Sequence, residues 1–145
     1  MCAEAEPYRD DEEVLKVVRG FESCECAPDD FNHRSHLVVA LCYLLREPEE
    51  KALARMRGGL LKFLAHHRID PATVYHETLT VFWLKRVRAF TERAGHGRTL
   101  AALANELAES CGNSRVVFDY YSKELVGSEE ARRALVEPDL KPLDF

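Results

Sequence analysis

The run Leu37-Val38-Val39-Ala40-Leu41-Cys42-Tyr43-Leu44-Leu45, closed by His36 on one side and Arg46 on the other, is the strongest constraint on what this chain can become. It is apolar at nearly every position, so neither the alternation of a half-buried strand nor the single stripe of a surface helix describes it. A helix buried on most of its sides does. The run falls short of the roughly 18 to 20 apolar residues that span a bilayer, so other elements of the same chain must wrap it. An all-α fold around one central helix follows, and the front of that helix carries two imidazoles, His33 and His36, three residues apart.

The flanking sequence reads as that wrapping. Asp10 or Asp11 is placed to cap a helix whose apolar positions Val14, Leu15, Val17, Val18 and Phe21 run toward Glu22. Pro28 interrupts the chain, and Asp29 or Asp30 is placed to cap the central helix. Pro48 suits the first turn of a third helix, through Leu53, Met56, Leu60, Phe63 and Leu64 to about His67, weakened midway by Gly58-Gly59, which permits close packing. Asp70-Pro71 begins what reads as one long helix from Ala72 to Arg93, stopped by Gly95. Thr99 caps Leu100 to Ser110, Val116 to Tyr121 reads as a short helix, and Ser122 and Ser128 each cap a brief one. With Pro138 and Pro142, the stretch from Val136 to Phe145 reads as an extended C-terminal tail. The expectation is a single helical domain over 10–145, an irregular bundle of five or more helices, behind a flexible leader over 1–9.

Composition narrows the partners. A formal charge of −5 and a pI near 5.7 give no electrostatic footprint for nucleic acid or an anionic membrane. The cluster Lys85-Arg86-Val87-Arg88 is interleaved with core positions and reads as a solvated helix face. The first residues lack the positive flank and apolar run of a secretory signal, and five cysteines at irregular spacing read as reduced thiols, so a cytoplasmic location is expected. No Gly-rich phosphate loop, Gly-x-Ser-x-Gly elbow or His-Glu-x-x-His pair is present, which sets nucleotide binding and serine hydrolysis aside.

Residues three apart on a helix share a face, so His33 and His36 can present ring nitrogens to one ion, with Ala40 leaving room a turn later. The tetrad Tyr75-His76-Glu77-Thr78 opens a second apolar segment and offers further polar groups. On a continuous helix His76 and Glu77 diverge by about 100°, so one would serve as ligand and the other as its orienting carboxylate or as a base. Two coordination sets follow. His33, His36 and His76 with Glu22 or Glu77 suit non-haem Fe(II), with zinc or manganese as alternatives, at a site with an open position. Cys24, Cys26, His33 and His36 would instead form a closed structural zinc site. The same histidines also admit a purely structural role, hydrogen-bonded to a carboxylate or a carbonyl. His66, His67 and His96 read as helix-end and loop residues, and Cys42, Cys111, Phe82 and Trp83 as core.

The runs Phe31-x-His33-x-x-His36-Leu37, Tyr75-His76-Glu77-Thr78-Leu79-Thr80-x-Phe82-Trp83-Leu84, and Tyr120-Tyr121-Ser122 through Val136-Glu137-Pro138-Asp139-Leu140-x-Pro142-Leu143 resemble a family of small, all-helical bacterial proteins, largely of undefined function, over nearly the whole chain. The resemblance implies that His33, His36, His76 and Glu77 are the characteristic polar residues. The family pattern has an aliphatic residue near Cys26, and this departure weakens the two-cysteine zinc set. It also implies that the tail closes over the body or docks a second copy. The functional expectation is a metal-dependent enzyme acting on a small molecule. Its one divalent ion is held by His33, His36, His76 and Glu22, and Glu77 and Tyr75 are its catalytic groups. The alternatives are a small-ligand-binding or accessory protein using the same pocket, and a structural zinc protein; homo-oligomerisation is compatible with each.

Overall fold

The computed structural model describes residues 6–145, and among these there is no strand. Eight α-helices are present among the described residues: α1 (Asp11–Glu22), α2 (His33–Arg46), α3 (Glu49–His66), α4 (Pro71–Val74), α5 (Glu77–Ala94), α6 (Leu100–Cys111), α7 (Lys123–Val126) and α8 (Glu129–Arg133). The chain is an all-α bundle organised around α2, which buries Leu37 through Tyr43 and packs against α1, α3, α5 and α6. No helix among the described residues is long and apolar enough to cross a membrane.

Local signals explain most boundaries. The Asp10 carboxylate accepts from the Glu13 N–H at 2.9 Å, Thr99 caps α6, and Ser122 and Ser128 cap α7 and α8, each satisfying an end donor at a gain of about 1 kcal/mol. At α2 the cap is displaced from its expected position. Pro28 starts its own 3-10 turn, Pro28–Asp30, which absorbs Asp29 and Asp30, and Asn32 accepts from the Ser35 N–H at 3.0 Å. Gly59 lets α1 and α3 approach, since a Cβ there would stand 2.7 Å from Cε2 of Phe21.

The expected helix from Ala72 to Arg93 is two helices. Tyr75 and His76 are extended, with φ/ψ of −67/139 and −137/104, and α5 starts only at Glu77. The cause is a side chain rather than a glycine or proline: Nδ1 of His76 accepts from the Leu79 N–H at 3.1 Å and caps α5. The short helix expected over Val116 to Tyr121 is a 3-10 helix, Ser114–Asp119.

Of the leader expected over 1–9, residues 1–5 lie outside the described residues, and Tyr8 is docked on the body. Its backbone N–H and carbonyl pair with the Asn105 amide at 2.8 and 2.9 Å, and Arg34 stacks 4.0 Å from its ring centroid. Residues 135–145 contain no helix. Leu143 and Phe145 pack on a small second cluster of Phe82, Val117, Tyr120 and Tyr121, distinct from the main core under α2. Trp83 touches both clusters, and the seam between them is where the candidate site lies.

Candidate functional site

A cavity of about 580 Å³ opens between α2, α3 and α5, floored by Val117 and Phe118 and walled on one side by Val74, Tyr75, His76 and Val126. The volume is in the range of small-molecule sites. Phe31, Phe63, Trp83 and Phe118 supply aromatic walls, leucines, Met56 and smaller apolar residues complete the lining, and no Asp, Glu, Lys or Arg lines it. Its polar groups are His33, His36, His76, Tyr75, Thr80, Asn32 and Ser114.

His33, the first residue of α2, donates from Nε2 to the Cys111 carbonyl at 2.9 Å and sets its ring edge-on to Trp83, centroids 4.5 Å apart. A carbonyl cannot donate, so the neutral ring carries its proton on Nε2 and leaves Nδ1 as a lone-pair acceptor. Burial lowers its pKa, opposed by the Cys111 carbonyl, which favours the protonated ring. His36 lies one turn on, against Phe31 at 4.4 Å between centroids. Its ring has no hydrogen-bond partner among the described residues, and burial first, with His33 second, pushes its pKa down to about 4. Among the described residues the occluded side-chain polar atoms that lack a partner are His67 Nε2 and Arg86 Nε; the His36 ring nitrogens are not among them, and His36 lines the cavity.

His76 is committed at both nitrogens. Nδ1 caps α5, and Nε2 donates to the Val126 carbonyl at 2.7 Å, which ties the break between α4 and α5 to α7. The rest of the tetrad divides in the same way. Glu77 is gripped by Arg57 through Nε at 2.9 Å and through a second guanidinium nitrogen, and it accepts from the Tyr75 hydroxyl at 2.6 Å. Arg57 holds the Glu77 carboxyl below the usual carboxylate range, while burial and then Glu77 push Tyr75 up to about 12. Thr78, fully buried, donates to the Ala134 carbonyl at 3.0 Å and accepts from the Val136 N–H at 3.2 Å. The tetrad is therefore a clasp that fastens α5 to α3, α7 and the chain beyond α8, and only Tyr75 and His76 also face the cavity.

The fold thus brings His33, His36, His76 and Tyr75 to one cavity and leaves Glu77 and Glu22 outside its lining. Glu22 accepts from the Tyr43 hydroxyl at 2.8 Å at the end of α1, and its backbone carbonyl takes the Lys62 ammonium at 3.1 Å. Thr78, expected to add a hydrogen bond to the pocket, is spent on the α8 connection. Among the described residues no three His, Cys, Asp or Glu side chains cluster closely enough to hold a metal ion, and neither Cys24 nor Cys26 lines the cavity with His33 and His36. Cys24, Cys26, Cys42 and Cys111 are free thiols.

Two residues that matter here carried no distinguishing signal in the sequence. Arg57 is the counter-ion of Glu77. A carboxylate at the start of an apolar helix needs a cation, and α3 offers Arg55 and Arg57 without a pattern that chooses between them. Trp83, expected as core, is only partly buried and forms cavity wall. No family model, curated protein or solved structure matches this chain.

Proposed function

We propose that the protein binds a small, uncharged, largely apolar molecule in the cavity between α2, α3 and α5, with the His33 and His36 imidazoles as the polar groups on its wall. The observation that carries this reading is an unpartnered imidazole on the wall of a cavity of about 580 Å³ that no charged side chain lines. An anionic ligand would meet no cation and a cationic one no carboxylate, and a charge buried without a partner costs several kcal/mol. Apolar ligand surface gains roughly 25 cal/mol for each Å² removed from water.

A metal-dependent form of the same reading has its own support. His33 donates one ring N–H to a backbone carbonyl and keeps the other nitrogen free, which is the arrangement that orients metal-binding imidazoles. His33 and His36 would then hold one divalent ion, Fe(II) first with zinc or manganese as alternatives, leaving the remaining positions to water and substrate and polarising the substrate as a Lewis acid. Glu22, Glu77 and His76 are engaged elsewhere and do not enter this set.

The test is a pair of measurements on untagged protein purified without chelators. Thermal melts of the protein after chelator treatment, with a naphthol, a naphthoate and a naphthylmethylammonium, should show stabilisation by the neutral compound alone, by roughly 5 to 10 °C at a hundredfold excess over Kd. Metal analysis of the wild type, His33→Ala and His36→Ala should show a near-stoichiometric ion lost in both variants if the metal-dependent form holds. Equal stabilisation by the charged compounds contradicts the reading, as does an unchanged melt with all three.

A further inference from the structure

The fixed tautomer of His33 says more about the ligand than the apolar walls do. Because Nε2–H is given to the Cys111 carbonyl at 2.9 Å, Nδ1 has no proton of its own and accepts only. Among the described residues it has no protein donor and is not one of the occluded atoms, and His33 lines the cavity. Neutral His36 carries one donor and one acceptor and can turn either toward a ligand; His33 cannot. Tyr75 adds no competing donor, since its hydroxyl proton goes to Glu77 at 2.6 Å, and Thr80 donates its own to the His76 carbonyl at 2.8 Å. The Tyr75 and Thr80 protons are thus drawn away from the cavity, and His33, whose ring lies against Trp83, contributes a nitrogen that can only accept.

We propose that the cavity selects an uncharged ring compound bearing a hydroxyl group, a phenol or an alicyclic alcohol, whose O–H donates to Nδ1 of His33 while its ring lies against Trp83. This deepens the proposed function and rests on it. A ligand without a donor leaves Nδ1 desolvated and unpaired, a loss that falls on the ligand lacking the proton rather than on the site in general. Set against Nδ1, an ether of the same ring brings only a second acceptor, and lone pairs then face each other.

Trp83 is the sole tryptophan of the chain, so its indole N–H cross-peak in an NMR spectrum reports cavity occupancy without optical interference. Chelator-treated protein is titrated with a naphthol, with naphthalene and with the matching methoxynaphthalene. The naphthol should bind about tenfold more tightly than the other two, the ratio that one net hydrogen bond supplies. His33→Leu should erase that preference and keep naphthalene binding, while His36→Leu should retain it. Equal affinities for the naphthol and naphthalene overturn the hydroxyl assignment and leave the apolar cavity standing, as does a methoxy compound that binds as well as the naphthol. A preference lost in His36→Leu but kept in His33→Leu overturns the role given to His33. No response to any of the three overturns the binding reading itself. The comparison among ligands is made on the wild type, so it survives a variant that fails to fold.

Discussion

The imidazole of His76 spans 50 positions of sequence to donate to the Val126 carbonyl at 2.7 Å. The same ring caps α5 through its other nitrogen, so one side chain both breaks the helix and fastens the break. Removing it should cost the cap and the tertiary hydrogen bond together, about 2 kcal/mol. His76→Ala is expected to lower the denaturation midpoint accordingly, and His76→Asn, which restores the cap alone, to recover about half. Chemical denaturation of the three proteins measures this; an Asn variant no better than Ala would contradict the capping role.

Gly58 and Gly59 are neighbours in α3 with opposite consequences. A Cβ at Gly58 meets nothing within 4 Å, so Gly58→Ala should gain the helix propensity of alanine, roughly 0.5 to 1 kcal/mol. At Gly59 the Cβ would strike Phe21, which is 1% exposed and stacked 4.6 Å from Phe31, so the ring has nowhere to go. Overpacking of this kind costs about 1 to 3 kcal/mol and outweighs the propensity gain. Thermal melts should therefore shift upward for Gly58→Ala and downward for Gly59→Ala.

Stability should fall with acid because of His36. Its ordinary value of 6.5 is pushed to about 4 in the folded protein, by burial before anything else. As pH falls through the unfolded value the unfolded chain takes up the proton first, so stability is complete above the unfolded value and is lost progressively down to the folded one. Between pH 7 and pH 5 the loss from this residue is about 2 kcal/mol, with His33 adding in the same direction. Denaturation of chelator-treated protein at the two pH values should show a flatter dependence for His36→Leu; identical slopes would contradict the burial argument.

Phe145 packs between Phe82 and Tyr120, with centroids at 5.3 and 5.4 Å, and Arg86 lies 5.3 Å from its ring centroid. Asp144 accepts from the Tyr120 hydroxyl, and the Leu140 N–H donates to the Tyr120 carbonyl at 2.9 Å. Phe145→Ala should destabilise by about 1 to 2 kcal/mol through lost burial and edge-to-face contact. A midpoint unchanged from the wild type would show that this segment does not hold the second cluster together.

What the sequence discloses here follows from how local each signal is. The central position of α2 was readable because an apolar run with no polar face has only one place to go, and Asp10, Thr99, Ser122 and Ser128 were readable because capping acts over three residues. The break at Tyr75-His76 was not. Its cause is a histidine acting as a cap, held by a carbonyl 50 positions away, and helical periodicity runs through it undisturbed. The metal-site expectation assumed that the two motifs meet, and His33, His36, His76 and Tyr75 do line one cavity, but nothing within either motif required it, and the fate of the carboxylates depended on long-range partners. Tyr43 draws Glu22 away, and Arg57 draws Glu77 away. Neither pairing has a spacing that a reader of sequence can use.

The most direct test of the binding cavity is a methyl NMR titration of the wild-type chain with a naphthol. Saturable shifts are expected at Leu37, Leu60, Leu64, Leu79 and Leu84, which line the cavity, with Leu107, fully buried on α6 away from it, unmoved. Shifts that do not saturate, or that reach Leu107 as strongly as the cavity leucines, would contradict the account.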